Sequence, residues 1–395
     1  MVTSVKVMNF KLAVAGTAAV TVALGISRFA YTPILPFMQS DLELSSTELG
    51  ALASWNFFGY LIGSLIALIR PNWFFTERTI FFLALSLSIL TTGLMGLTET
   101  TIIMVITRFL AGISSALTLI VGTGLIFRNF DIAGQSNLKL THFCGFGLGI
   151  TISALTVPIA NKFGFGWSSQ WLILALVCCI LVVPTLLFIP RETAYSELPG
   201  ETKSDRSKSI LAFTFVAVGY GLFGLGYIIF GTFISAMSLK LTNLASFGEY
   251  VWLIVGITAI PSVFLWQKLS TFIGKDLALA IACVGSAIGI FFAIQFVSVL
   301  SLTIGCMLYG AGMPGIVALA LLEGKDRYRG SLVSAVAILT LSFSIGQMVG
   351  PLLAGFLIDV LGNYFLAMQI SVISFFIAGL LMVNPIRLVK QPKIL

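Results

Sequence analysis

The sequence predicts an all-α membrane protein of twelve transmembrane helices, arranged as two pseudo-symmetric six-helix bundles. Three observations predict it. Of 395 residues, 58% are hydrophobic and 9% charged, with a mean hydropathy of +1.06. Water-soluble domains carry about 25% charged residues, so this composition cannot clothe a water-facing surface. The apolar runs are continuous, as in the stretch that opens at Trp171, and near the ~20 residues that cross about 30 Å of hydrocarbon. A transmembrane barrel would instead alternate apolar and polar residues over about ten positions. Finally, Lys and Arg are gathered into alternate loops, as topology signals are.

In chain order the expected spans are 11–38, 47–69, 79–97, 101–127, 140–161 and 169–189, then 211–238, 250–269, 277–297, 300–322, 331–360 and 364–384. Lys6 and Lys11 precede an apolar run too long for a signal peptide, and no small-residue cleavage site closes it. It is read as an uncleaved first helix. Ser45 and Glu48 form a capping-box pattern ahead of Leu49, which marks the start of span two. Spans nine and ten are separated only around 297–301.

One set of loops holds 18 of the 22 basic residues, among them Arg70, Arg128, Lys203, Lys275 and Arg329, whereas the opposite set holds Lys162 and Lys240. Under the positive-inside rule this puts both termini in the cytoplasm, with the protein in the cytoplasmic (inner) cell membrane. The net charge of +7 then faces anionic lipid, and nucleic acid is not expected as a partner. Five cysteines (Cys144, Cys178, Cys179, Cys283, Cys306) lie inside apolar runs without metal-site spacing and are read as buried structural thiols.

The long polar stretch 191–209 divides the chain into an N-terminal bundle (1–190), a central cytoplasmic loop and a C-terminal bundle (210–395). A shift of about 200 residues relates the halves. It aligns Gly25 and Phe29 with Gly226 and Phe230, Trp55 and Gly59 with Trp252 and Gly256, Arg108 and Gly112 with Leu308 and Gly312, and Gly149 with Gly346. Parallel repeats of this kind place a substrate path between the halves near the bilayer midplane.

Two six-helix halves, the central loop and Arg108-Phe-Leu-Ala-Gly112 in span four resemble the major facilitator superfamily. Four strings resemble its YbfB/YjiJ-type branch: Ser27-Arg-Phe-Ala-Tyr-Thr-Pro33, Leu225–Phe233, Trp252–Gly256 and Gly346-Gln-Met-Val-Gly-Pro351. The resemblance implies a solute transporter working by alternating access. The chain departs from the superfamily between spans two and three. There, Ile69-Arg-Pro-Asn-Trp-Phe-Phe-Thr-Glu-Arg78 has neither the Asp nor the Gly of the usual Gly-x-x-x-Asp-Arg-x-Gly-Arg pattern. The Gly-Pro pattern of antiporters is missing from span five, although Gly350-Pro351 occurs in span eleven.

Arg28 is the leading candidate for substrate contact. About ten residues, or ~15 Å of helix, separate it from the outer end of span one, more than an arginine side chain spans. A charge at such depth points to function. Thr17, Thr21, Arg28 and Thr32 form a polar stripe on an ideal helix. Arg108 is expected to be structural, gating or substrate-binding. No Asp or Glu lies within spans one to six except at their ends, so the two arginines are expected to attract an anion bearing carboxylate or phosphate. Tyr31, Thr32, Asn56, Tyr220, Tyr227, Tyr309 and Gln347 complete the candidate substrate-binding set. Gly112, Gly346, Gly350 and Pro351 are hinge or packing candidates, with a bend expected near Gly350.

His142, Glu323 and Asp359 are expected at hydrated positions near span ends. No Walker motif, metal cluster or paired catalytic carboxylate is present, so no cofactor, no metal and no enzymatic activity are expected. The expected partners are a small-molecule substrate and the lipid bilayer, with the monomer as working unit. The alternatives are a non-transporting sensor or scaffold on the same fold, or an efflux pump for drugs or metabolites.

Overall fold

The structure, a computed structural model, describes residues 2–69, 75–132, 136–190, 210–240, 245–296, 298–328 and 332–383. The central stretch 191–209, Arg70, Arg329 and the end of the chain from 384 lie outside them. The described residues form helices throughout. Eleven helices are long and apolar enough to cross a membrane: Phe10–Asp41, Ser46–Ala67, Glu77–Met95, Thr101–Phe130, Leu140–Lys162, Trp167–Phe188, Ile210–Leu239, Lys275–Phe296, Val299–Arg327, Ala335–Leu361 and Phe365–Met382. The helices Val251–Ala259 and Ser262–Ile273, bent by 51° where Pro261 interrupts the backbone ladder, supply a twelfth as span eight. The chain is thus a multi-pass membrane protein. Its exposed surface carries Leu90, Ile102, Leu176, Phe291 and Leu380, as a lipid-facing surface requires. Below, the near face is the side on which span one begins, and the far face is the side on which it ends.

Local chemistry sets several helix starts. Ser45 and Glu48 form the expected box: Ser45 N donates to Glu48 Oε2 at 2.8 Å, and Glu48 N donates to Ser45 Oγ at 3.2 Å. Ser298 and Ser301 form a second box, which separates span ten from span nine where hydropathy alone could not. Thr76 caps span three by accepting from Thr79 N.

Span one is not one regular helix. Val2–Val20 passes into a π-helical turn, Thr21–Ile26, then irregular hydrogen-bonded turns at 27–30, then the helix Tyr31–Asp41. Ser27 N bonds to Val22 O at 3.0 Å, the five-residue step of a π turn. Pro33, lacking an N–H, has a ring that conflicts with the carbonyl one turn back, at Phe29. The expected polar stripe is therefore broken up. Thr21 bonds back to Thr17 O, Thr17 to Thr141 O, and Thr32 to Gly231 O at 2.6 Å in the other half of the chain.

Among residues 10–190, span four lies against spans two and three, and span one against span five; among 210–382, span seven lies against spans eleven and twelve, and span nine against ten and twelve. Across the halves span two meets eleven, span five meets eight, and span one meets seven. Small residues permit these approaches. A Cβ on Gly112 would land on the span-two backbone at Asn56 and Tyr60, which explains the Arg108-x-x-x-Gly112 spacing. Gly310 stands in the same way against Val255 and Thr258 of span eight. The repeat therefore matches Gly112 to Gly310, two residues from the pairing expected from sequence. Trp55, 41% exposed, is likewise no counterpart of the buried Trp252.

Expectations about three groups, His142, Glu323 and two of the cysteines, are corrected. Span eleven runs as one continuous helix, Leu332–Leu361, through Gly350-Pro351, and span eight is the one whose two parts meet at 51° at Pro261. Gly346 and Gly350 serve packing, because a Cβ on either would meet span seven at Gly221, Leu225 or Ile228. His142 is buried, with Nε2 3.1 Å from Thr123 Oγ1 and its ring against Phe143, so it is no hydrated cap. Glu323 is buried and paired at 2.8 Å with Arg327, which also donates to Met382 O at 2.8 Å and Ala212 O at 3.4 Å. Asp359 is surface-exposed, as expected, but hydrogen-bonded to the other half of the chain. Of the cysteines, all free, Cys178, Cys283 and Cys306 are buried as expected, whereas Cys179 is exposed and Cys144 half-buried.

Candidate functional site at the break in span one

The irregular turns at 27–30 carry Arg28, which is buried. Its guanidinium lies against two rings of span two, 4.4 Å from the centroids of Phe57 and of Tyr60, and 5.6 Å from that of Phe29. Cation–π contact with these rings leaves the edge of the planar group for hydrogen bonds. On that edge Nη2 donates to Oε1 of Gln347 at 3.0 Å, across 319 residues of chain. Nε of Arg28 and Nε2 of Gln347 are both buried without a hydrogen-bond partner. Among the described residues no carboxylate pairs with Arg28. Its electrostatic neighbours are the phenols of Tyr60, Tyr220 and Tyr227.

Behind Gln347 stands an aromatic wall from spans seven and eleven. Phe343, one helix turn before Gln347, lies parallel to Tyr220 at 4.6 Å and nearly parallel to Tyr227 at 6.1 Å. Tyr309 closes the wall by donating from its hydroxyl to Tyr227 O at 2.8 Å. Phe29 bridges to the other side, 6.4 Å from Tyr227 and 6.3 Å from Trp252.

The second arginine does different work. Arg108 Nη1 donates to Ser27 O at 3.3 Å, and its guanidinium lies 4.7 Å from the centroid of Tyr31. Asn56 Nδ2 donates to Arg108 O at 3.0 Å, and Tyr31 donates to Leu49 O at 2.8 Å. These contacts hold the interrupted backbone of span one against spans two and four. Arg28, Tyr220, Tyr227, Tyr309 and Gln347 thus come together around one point. Arg108, Tyr31 and Asn56 support them from behind, and Thr32 ties span one to span seven. Sequence reasoning missed Tyr60, Phe57 and Phe343. Asn56 and Tyr60 are one helical turn apart in span two, as are Phe343 and Gln347 in span eleven, and that spacing was the available signal.

A family model described as "Uncharacterised MFS-type transporter YbfB" matches residues 20–383, a range that contains the break, the aromatic wall and all twelve spans except the start of the first. The chain belongs to that family. This MFS-type transporter shares its fold with the solved nucleoside transporter NupG. NupG is 13% identical at a TM-score of 0.69, over 98% of this chain and 100% of NupG. A point mutant of NupG superposes with a TM-score of 0.70 at 12% identity, covering 95% and 98%. A curated relative, Protein SGE1 of Saccharomyces cerevisiae (strain ATCC 204508 / S288c), is 31% identical over 115 residues. Those residues are 28% of this transporter and 21% of SGE1. In this transporter the Arg28–Gln347 hydrogen bond joins the two halves of the chain.

Proposed function

We propose that this transporter carries a small organic anion bound at Arg28, and that its two six-helix halves, joined by 191–209, rock about that site as a monomer in the cytoplasmic membrane. The 18-to-2 distribution of basic residues supports cytoplasmic termini, which makes the near face cytoplasmic. The observation that carries the anion reading is the buried guanidinium with no carboxylate partner among the described residues, its Nε unpartnered and its hydrogen-bonding neighbours the neutral Gln347 amide and Tyr60 phenol. A buried cation lacking a counter-charge gains most from an anionic ligand. NupG is a nucleoside transporter by name; a neutral nucleoside would leave this charge uncompensated. Family and fold support a carrier that moves its solute without converting it.

The test is uptake by proteoliposomes of labelled organic acids beside their neutral amides. The acids are expected to enter and the amides not. Arg28→Lys keeps the charge but loses the planar edge, so weaker uptake is expected. Arg28→Ala should insert normally and lose uptake. Unchanged uptake by Arg28→Ala overturns the reading.

A further inference from the structure

We propose that the anion held at Arg28 is a planar aromatic monocarboxylate, with its carboxylate on the Nε–Nη2 edge and its ring on the wall of Tyr220, Tyr227 and Phe343. This rests on the anion reading above and narrows it to one class.

The edge comes first. Nε–H and Nη2–H of a guanidinium point the same way and form a two-pronged donor matched to the two oxygens of one carboxylate. Here Nη2 is engaged by Gln347 Oε1 at 3.0 Å while Nε is buried and unpartnered. The fork is half occupied, by an amide oxygen standing where a carboxylate oxygen fits. A carboxylate that displaces it satisfies Nε, and the released Gln347 amide can turn so that its own unpartnered Nε2–H donates to the ligand. Two buried donors that are now unpaired would each gain an acceptor. Phe57 and Tyr60 hold the guanidinium by cation–π contact, and a carboxylate meets the fork in its plane.

Charge then limits the ligand to one negative group. Apart from the Gln347 amide and the tyrosine hydroxyls, all of them neutral, the surface facing Arg28 from spans seven and eleven is made of rings, and ring faces carry negative quadrupole charge. A second carboxylate, or the second charge of a phosphate ester, would sit against those faces unpaired. Arg108 is drawn away from this side by Ser27 O and Tyr31.

The wall selects the body of the ligand. Tyr220 and Phe343 are 10° from parallel at 4.6 Å, and Phe343 and Tyr227 are 20° from parallel at 6.1 Å. Rings already stacked in one plane family offer an added ring the same offset geometry. Gln347 and Phe343 share one face of span eleven, which puts fork and wall at adjacent turns of a single helix.

The experiment measures ligand-induced thermal shift, followed by titration, on the full-length protein purified in detergent. The probes are benzoate, benzamide, cyclohexanecarboxylate, phthalate and phenyl phosphate. Benzoate is expected to bind at least fivefold more tightly than cyclohexanecarboxylate, and benzamide, phthalate and phenyl phosphate at least tenfold more weakly than benzoate. Phe343→Leu should bring benzoate down to the level of cyclohexanecarboxylate while leaving the latter bound. Gln347→Glu, placing a carboxylate on the fork from within, should abolish binding of every acid without lowering thermal stability. Equal binding of benzoate and cyclohexanecarboxylate overturns the aromatic inference and leaves the anion reading standing. Tighter binding of phthalate or phenyl phosphate than of benzoate overturns the single-charge argument. Benzamide binding as well as benzoate overturns both readings.

Discussion

The carboxylate of Asp359, two residues from the end of span eleven, binds the first turn of span two at Thr47. Oδ2 accepts from the Thr47 backbone N–H at 2.7 Å and from its hydroxyl at 2.5 Å, and Oδ1 accepts from Ser46 N at 2.9 Å. A helix start presents unpaired N–H groups and a partial positive charge. In span two these are met by a side chain from the other half of the chain. Lys162 and Tyr250 make a second cross-half contact at the far face, at 2.9 Å between spans five and eight. With Thr32 on Gly231 O, each of the three main cross-half pairs of spans is pinned in its far part, so this conformer is closed toward the far face.

Removing the charge at Asp359 should loosen that closure. Hydrogen bonds to a charged group contribute about 1.5–3 kcal/mol, and about 1.4 kcal/mol is tenfold in a population. Asp359→Asn should therefore shift the balance roughly tenfold toward conformers open at the far face. Spin-label distances between the far ends of spans two and eleven would report it. An unaltered distance distribution would mean that the clasp holds no closing energy.

Gly355 offers a steric version of the same test. A Cβ there would lie 2.8 Å from the carbonyl carbon of Ser46 and 2.9 Å from Cα of Thr47, both across the halves. Gly355→Ala should leave each half intact, hold the far face ajar and slow transport. Far-face cysteines should then label faster with a membrane-impermeant reagent. Labelling at the wild-type rate, with normal transport, contradicts this account.

Arg108 is expected to behave as a support rather than as a ligand contact. Losing its bond to Ser27 O leaves a buried carbonyl unsatisfied, at a cost of about 1–3 kcal/mol. Arg108→Lys should lower the thermal midpoint in detergent by several degrees while the thermal shift induced by benzoate persists. A normal midpoint with binding lost would move Arg108 into the ligand site.

Topology can be checked independently of the site. A cytoplasm-only reporter fused near Lys203 should be active, and one near Lys240 silent. The opposite pattern would place 18 basic residues outside and reverse the orientation.

The twelve spans were legible because each is a local property, a run of apolar residues bounded by charge or a cap. Even the close join of spans nine and ten sits where Ser298 and Ser301 cap a helix. What was not legible depends on distant groups meeting. Gln347 reaches Arg28 and Asp359 reaches Thr47 over more than 300 residues, and no periodicity within either span encodes such a pair. A break between two helices occurs at Pro261, which the sequence reading did not single out. Span eleven is held against span seven at Gly346 and Gly350 on one side and against span two at Gly355 on the other, and such close packing supports a continuous helix despite its proline. The π turn beside Arg28 was hidden for another reason: Thr21–Ile26 is an ordinary apolar string, and only Gly25 against Gly145 and Gly149 of span five shows why the backbone swells there.

The two buried guanidiniums also bear on how the proposed carrier would respond to voltage. Arg28 and Arg108 are both buried, and among the described residues no carboxylate pairs with either; a bound monoanion would cancel the charge of one. The step in which access switches would then move more charge through the membrane field when the site is empty than when it is loaded. A potential of 100 mV acts on one elementary charge with about 2.3 kcal/mol. An inside-negative membrane would draw the empty carrier toward its inward-open form more strongly than the loaded one. More current should then accompany the return of the vacant protein than the passage of its cargo.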